Sequence, residues 1–197
     1  MNLKHKACGA YGTNCYIVSI EGKDLIIDPG MDAYPWVVAN VSNPIAILNT
    51  HGHYDHVWSN DALAKKFSIP IYAPKDDVFM LEDDPFSQGT PPSHATFSVV
   101  GDEVFDIDGI EVKFFHFPGH TPGCSVILIE NTLFSGDFIF KNSIGRFDFP
   151  YSSAQQMRKS LEKFLTIEAD WEIYPGHGER TSLRVEQKNV PYWFNYL

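Results

Sequence analysis

The chain is expected to fold as an α/β (α+β) domain in which two β-sheets pack face to face with helices outside. Three observations predict this. Short β-branched apolar runs recur through both halves of the 197 residues, two stretches carry the 3.6-residue period of a surface helix, and strands and helices follow one another with no composition break and no repeat of about 20 to 50 residues. A hydrophobic content of 44%, with 14% aromatics, is enough for one core, so residues 1–197 are read as a single domain.

In the first half, strands are expected over "NCYIVSI" (14–20), "DLIID" (24–28) and "IAILNT" (45–50), with an amphipathic stretch, "AYPWVVANV" (33–41), before the third. Asp28-Pro29-Gly30 stops the second strand. A helix follows over 59–67, with Ser59 or Asn60 as N-cap and Leu63, Ala64 and Phe67 on one face, and then a short strand, "IPIYAP" (69–74). Residues 82–95, "EDDPFSQGTPPSHA", have no period and read as a loop or lid.

The second half reads as two hairpins, one over 103–117 turning at Asp108-Gly109 and one over 124–137 turning at Asn131. A helix over 153–165 places Met157, Leu161, Phe164 and Leu165 at i, i+4, i+7 and i+8, the spacing of a helix laid on a sheet. A last strand, "WEIYPGHG" (171–178), and one more short helix close the chain, where Tyr192, Trp193, Phe194 and Tyr196 cluster.

Twenty-five acidic against fifteen basic residues leave a net charge of −10, which disfavours nucleic acid and anionic membrane surfaces as partners. The N-terminus carries no apolar run of signal-peptide length, and no segment approaches the roughly 18 apolar residues that span a bilayer, so a cytoplasmic protein is expected. Cys8, Cys15 and Cys124 are odd in number, lack CxxC spacing and read as buried free thiols.

The chemistry lies in the histidines. Five of eight fall in three short motifs, "THGHYDH" (His51, His53, His56), "FPGHTPG" (His120) and "YPGHGE" (His177), each after an apolar strand and in a Gly- or Pro-containing turn. Turns at one rim of a sheet sandwich can bring such residues together. Imidazole and carboxylate donors without cysteine suit zinc, iron or manganese alike. His51 and His53, two apart, would face one ion, while Asp55 and His56 could face a second. Two divalent ions about 3.5 to 4 Å apart need an anionic bridge, and Asp137 in "LFSGDFIF" is the candidate.

"THGHYDH", "PGHTPG", "SGD" and "PGHG", in this order and across essentially the whole chain, resemble the metallo-β-lactamase superfamily. The resemblance implies a four-layer αββα sandwich with one metal held by His51, His53 and His120, another by Asp55, His56 and His177, and Asp137 as bridge. Asp28 in "LIIDPG" would stand behind the ligands, or else simply cap its turn. Two divalent ions per chain are expected, zinc first, with iron or manganese compatible.

The segment "GDFIFKNSIGRFDFP" is similar to the one after the bridging aspartate in glyoxalase II-like hydroxyacylglutathione hydrolases and their short bacterial relatives. Gly145-Arg146 stands where those enzymes have Gly-Lys, so Arg146, with Lys141, is assigned to substrate binding, a role suited to the guanidinium fork; the other reading of Arg146 is a solvated surface residue. Asp148 replaces a tyrosine of that family, and the family's helical C-terminal domain is not expected here. The resemblance therefore implies a short-form, glyoxalase II-like hydrolase of small thioesters, monomeric or a small homo-oligomer.

In such a site the metals lower the pKa of water from about 15.7 toward 7, and Asp55 orients the nucleophile. A thiolate, with a pKa of about 8.5, leaves without a strong general acid, so thioesters suit the site better than amides. Lactamase activity is disfavoured because Asp137 stands where some lactamases place a cysteine, and nuclease activity because basic surface is lacking. The alternatives are a mononuclear iron persulfide dioxygenase, which "GRFDF" also resembles, a lactonase or other ester hydrolase of the same fold, and a non-catalytic metal-binding module.

Overall fold

In the computed structural model, which describes residues 1–197, the strand "DLII" buries both of its faces: Leu25 and Ile27 point one way and Ile26 the other, all fully enclosed. The same division separates Ile127 and Ile129 from Val126 and Leu128. Such continuous apolar runs are what a strand needs when it is covered on both sides.

The first sheet holds β1 (Asn2–Cys8), β2 (Thr13–Ile20), β3 (Lys23–Ile27), β4 (Pro44–Leu48), β5 (Ile71–Pro74) and β6 (Phe97–Val99), in that spatial order. The first three are antiparallel and the rest parallel. Its crossovers carry α1 (Tyr34–Asn40), α2 (Tyr54–Val57), α3 (Asn60–Phe67) and α4 (Val78–Asp83). The second sheet begins with β7 (Glu103–Ile107), β8 (Ile110–His116), β9 (Ser125–Ile129) and β10 (Thr132–Gly136). After the small hairpin of β11 (Ile139–Phe140) and β12 (Ser143–Ile144) come α5 (Ala154–Leu165), β13 (Glu172–Pro175), β14 (Thr181–Ser182) and α6 (Leu183–Trp193). The spatial order is β14-β13-β10-β9-β8-β7.

Three apolar layers hold the αββα sandwich together. Val18, Leu25, Ile27 and Leu48 meet Val112, Phe114, Ile127 and Phe134 between the sheets. Val37 of α1 and Leu63 of α3 cover Ile26, Ile47 and Ile71 on one outer face, and Met157, Leu161 and Phe164 of α5 cover Val126, Leu133 and Ile173 on the other. Each such side chain contributes about 1.5–3 kcal/mol on burial. The three cysteines are free and buried in these layers, as expected.

Both hairpins form. At the first turn Asp108 (φ 54°) and Gly109 (φ 85°) both have positive φ, the conformation of a two-residue hairpin turn that matches strand twist. The stretch 33–41 is helical over α1, and α3 starts at Asn60 with Ser59 before it. Ser59 does not cap: its hydroxyl donates to the Gly30 carbonyl at 2.7 Å and ties the helix to the turn after β3. Residues 82 and 83 belong to α4, so the loop begins at 84. Leu165, expected on the apolar face of α5, is 37% exposed because it follows the last covered turn. The closing helix is longer than expected, eleven residues, with Trp193 and Phe194 packed against the α5 layer. Strands β1, β6, β11, β12 and β14 were not foreseen, being short or, like the lysine-rich β1, exposed at an edge. No helix is long and apolar enough to cross a membrane.

Direction matters most for the site. Strands β3 and β4 run parallel, as do β10 and β13, while β8 is antiparallel to β9 and β9 to β10. The C-terminal ends of β8, β10 and β13 therefore share one edge, and those of β3 and β4 another. The two edges are joined where the Asn14 amide donates to the Gly176 carbonyl at 2.7 Å and the Tyr16 hydroxyl to the Pro175 carbonyl at 2.6 Å.

At the opposite end, Asp24 accepts from the Ser19 hydroxyl and from the amides of Ser42 (2.6 Å) and Asn43 (2.9 Å). Burial alone would raise its carboxyl, but these bonds outweigh it and hold the pKa below the usual range. Its stabilisation is therefore present above the ordinary carboxylate pKa and lost as pH falls through the depressed one. Asp24→Ala is expected to cost about 1–3 kcal/mol at pH 7, with the deficit shrinking toward pH 2, as urea denaturation at the two pH values would show.

Candidate metal centre

Beyond Leu48 the chain leaves β4 and must turn at the rim, and its next residues are held from behind by one carboxylate. Asp28, at the end of β3, accepts from the Thr50 amide (2.8 Å) and hydroxyl (2.7 Å) and from His56 Nδ1 (3.0 Å). Parallel pairing of β3 with β4 brings these groups side by side. The Thr50 hydroxyl, its proton committed to Asp28, accepts from His51 Nδ1 at 3.0 Å.

The other sheet repeats the device with backbone carbonyls. His120 Nδ1 donates to the Arg146 carbonyl (2.7 Å) and His177 Nδ1 to the Tyr11 carbonyl (3.1 Å). Four imidazoles, those of His51, His56, His120 and His177, thus have Nδ1 engaged outward, which orients each ring and turns Nε2 inward. His53 presents Nδ1 instead, 2.9 Å from His120 Nε2.

Two donor sets result. One ligand atom from each of His51, His53 and His120 lies within 4.8 Å of the others, and the same holds for Asp55, His56 and His177. Asp137, at the end of β10, stands between the sets. Its Oδ1 lies 3.3 Å from His56 Nε2, and its Oδ2 is 3.5 Å from His120 Nε2 and 3.4 Å from His177 Nε2. Asp55 Oδ2 is 3.4 Å from His177 Nε2 and accepts from the Thr13 hydroxyl at 2.7 Å. All seven side chains expected at the site therefore converge. A third possible set, Asp28 with His51 and His56, is already satisfied through Asp28's own hydrogen bonds.

The chemistry of these atoms fits divalent cations. His51 Nε2, His56 Nε2 and Asp137 Oδ1 are buried without a hydrogen-bond partner, a costly arrangement that a cation between them relieves. Burial lowers the pKa of His51 and His120, and of His53 to about 3, so these rings are neutral donors at pH 7. Burial would lower His56 and His177 too, but Asp137 and Asp55 outweigh it; His177 is raised to about 9. Gly176 is required by close approach, since a Cβ there would lie 2.2 Å from Asp137 Oδ1.

One organising residue escaped the sequence reading. Asp77, buried after β5, accepts from the Gly52 amide (3.0 Å), the Thr121 hydroxyl (2.6 Å) and the Gly123 amide (2.6 Å). It ties the loop between His51 and His53 to the loop after His120. Burial pushes its pKa up to about 6 despite those donors. Nothing in "KDD" marks it, because its partners come from loops 25 and more residues away.

The centre opens into a cavity of about 520 Å³ whose lining includes Tyr11, Tyr54, Phe86, Phe140, Phe149 and Arg146. Lys141 does not line it; this side chain is exposed and paired with Glu179, so its expected contact with substrate is not supported. Arg146 does line it, but binds Asp148 through Nε (2.8 Å) and Nη2 (2.7 Å). His5, His94 and His116 lie outside, His94 against Glu82 and His116 against the Pro122 carbonyl.

A four-layer sandwich with paired His/Asp donor sets at the strand ends is the architecture of a metallo-hydrolase superfamily. The chain belongs to the metallo-β-lactamase superfamily, whose family model matches residues 8–177. It is 32% identical to the hydroxyacylglutathione hydrolase GloC of Haemophilus influenzae, over 98% of both chains. Among solved structures it is similar to the BLEG-1 B3 metallo-β-lactamase (TM-score 0.86, 29% identity, 97% of this chain and 99% of that one). It is also similar to TTHA1623 in a di-iron-bound form (TM-score 0.83, 27% identity, 96% and 99%).

Asp77→Ala leaves three donors without their acceptor, each costing about 1–3 kcal/mol when buried. Loss of at least 3 kcal/mol in urea denaturation is expected, with faster amide exchange at Gly52 and Gly123.

Proposed function

We propose that this protein is a dinuclear metal-dependent hydrolase of small thioesters, like the hydroxyacylglutathione hydrolases. The observation that carries this reading is the pair of three-residue donor sets divided by Asp137 on the wall of an open cavity. The end-to-end similarity to the H. influenzae enzyme supports it. His51, His53 and His120 would hold one divalent ion, Asp55, His56 and His177 the other, and Asp137 both. Zinc suits these donors, and so do iron and manganese; the likeness to a di-iron protein keeps iron in view.

When bound, such ions supply a water acidic enough to act as nucleophile near neutrality and polarise a carbonyl. The chain's own residues do the rest. Asp55 is ionised at neutral pH: burial would raise it, but His56 and His177 hold its pKa well below the carboxylate range. With Oδ2 fixed by Thr13, its Oδ1 is left to accept a hydrogen bond from the attacking water and hold it in line with the carbonyl. The aromatic walls displace solvent, which strengthens each polar contact inside. The departing thiolate, with a pKa of about 8.5, needs no proton from the protein. This matches a cavity in which the Tyr54 phenol, its pKa raised by burial and by Tyr11, is a poor acid. Asp28 would orient His56 directly and His51 through Thr50.

A β-lactam reading has one supporting observation, the likeness to BLEG-1, and β-lactams belong in the same substrate panel.

Elemental analysis of the purified protein should find two divalent ions per chain, and thioesters should be turned over faster than lactones, β-lactams or amides. One iron per chain with oxygen uptake on a persulfide would replace the hydrolase reading with a dioxygenase. His53→Ala and Asp137→Ala should each lose metal and at least about 100-fold in kcat/KM; a variant that turned over substrate without metal would sink the mechanism. Asp28→Ala should weaken metal binding by about 10- to 100-fold in a chelator competition, the usual effect of removing an outer partner.

A further inference from the structure

The cavity over the donor sets is walled by five aromatic rings from four separate places: Tyr11 from the β1–β2 turn, Tyr54 from α2, Phe86 from the loop after α4, and Phe140 and Phe149 from either side of β12. They form a collar around the histidines. Tyr11 and Tyr54 meet edge to face at 5.8 Å, Phe86 lies 5.2 Å from the His53 ring, Phe149 lies 6.0 Å from both His53 and His120, and Phe140 lies 6.0 Å from His177. Apart from histidines, the only cation on the lining is Arg146.

That cation is already paired. Two of its five N–H donors form a fork on the Asp148 carboxylate, and its planar face stacks on Phe149, with the guanidinium carbon 4.3 Å from the ring centroid. Lys141 is held by Glu179 outside the cavity. An anionic substrate tail would meet no free positive side chain, in a protein of net charge −10. A carboxylate brought to Arg146 would face Asp148 as well, and the repulsion offsets the attraction. An uncharged apolar or aromatic body meets five rings and can still accept hydrogen bonds from the remaining Arg146 N–H groups.

We propose that the site selects uncharged thioesters with an apolar or aromatic body, and that Asp148, by neutralising Arg146, is the residue that sets this preference against anionic thiols. This rests on the thioester hydrolase reading for the reaction but not for the binding.

The test therefore measures binding without turnover. S-benzyl thioethers of N-acetylcysteamine (neutral), mercaptosuccinate (a dianion) and glutathione are titrated calorimetrically into the metal-loaded protein. The neutral compound is expected to bind at least tenfold more tightly than the dianion and than the glutathione thioether. In Asp148→Asn, which frees the Arg146 fork, the preference for neutral over dianion should fall at least threefold, and adding Arg146→Ala should abolish that change. Equal or tighter binding of either anion by the wild type, no measurable binding of the neutral compound, or an unchanged ratio in Asp148→Asn overturns the proposal. Hydrolysis of the matching S-benzoyl thioesters is scored separately: neutral thioethers that bind while no thioester is cleaved would reject the hydrolase reading and leave the charge preference standing.

Discussion

The metal centre depends on the two sheets being held at one spacing, set by the core between them and joined beside the donors by the Asn14 amide on the Gly176 carbonyl. His51, His53, Asp55 and His56 follow the first sheet, while His120, Asp137 and His177 follow the second. Donor atoms from two independent layers reach one another within 4.8 Å only if the layers cannot slide. The interdigitated core between the sheets resists compression, and the contacts of Asn14 and Tyr16 with Pro175 and Gly176 close its rim beside the donors. Thr13 extends the seam into the chemistry, bridging to His177 along the backbone and to Asp55 through its hydroxyl.

Around that seam the protein treats its polar groups in two ways. The outer nitrogens of four imidazoles are satisfied by Asp28, Thr50 and two backbone carbonyls, while the inner atoms of His51, His56 and Asp137 are left without partners. Buried polar atoms are rarely left so, and these three belong to the two donor sets and the carboxylate between them. Orientation is thus settled before any ion arrives, which lowers the reorganisation needed on binding. Asp28 and Asp77 do parallel jobs, the first within one sheet and the second between the loops that follow β4 and β8.

The cavity above combines this floor of imidazoles and carboxylates with aromatic walls, and its one guanidinium is paired with Asp148. The donors below stand at strand ends, and the walls above come from turns and loops.

Much of the fold was legible because it follows from local pattern. Apolar runs such as "LII" and "VILI" marked strands, Asp108-Gly109 marked a hairpin, and the spacing of Met157, Leu161 and Phe164 marked a helix, each rule acting within a few residues. The seven donors were legible for a different reason: imidazoles and carboxylates clustered in turns after strands have few other uses. What the chain did not reveal was whatever depends on distant neighbours. Edge strand β1 is mostly exposed, with only Leu3 and Cys8 reaching the apolar layers. Ser59 bonds Gly30 in place of its own helix, and Lys141 and Arg146 look alike as cations until Glu179 and Asp148 are seen beside them. Asp77 is one aspartate among many until three donors from other loops close on it. The sequence by itself determined the residue types able to bind metal and the strands they follow. Tertiary structure alone decided which nitrogen each ring presents and which charges remain free, because both depend on hydrogen bonds between groups that only folding brings together.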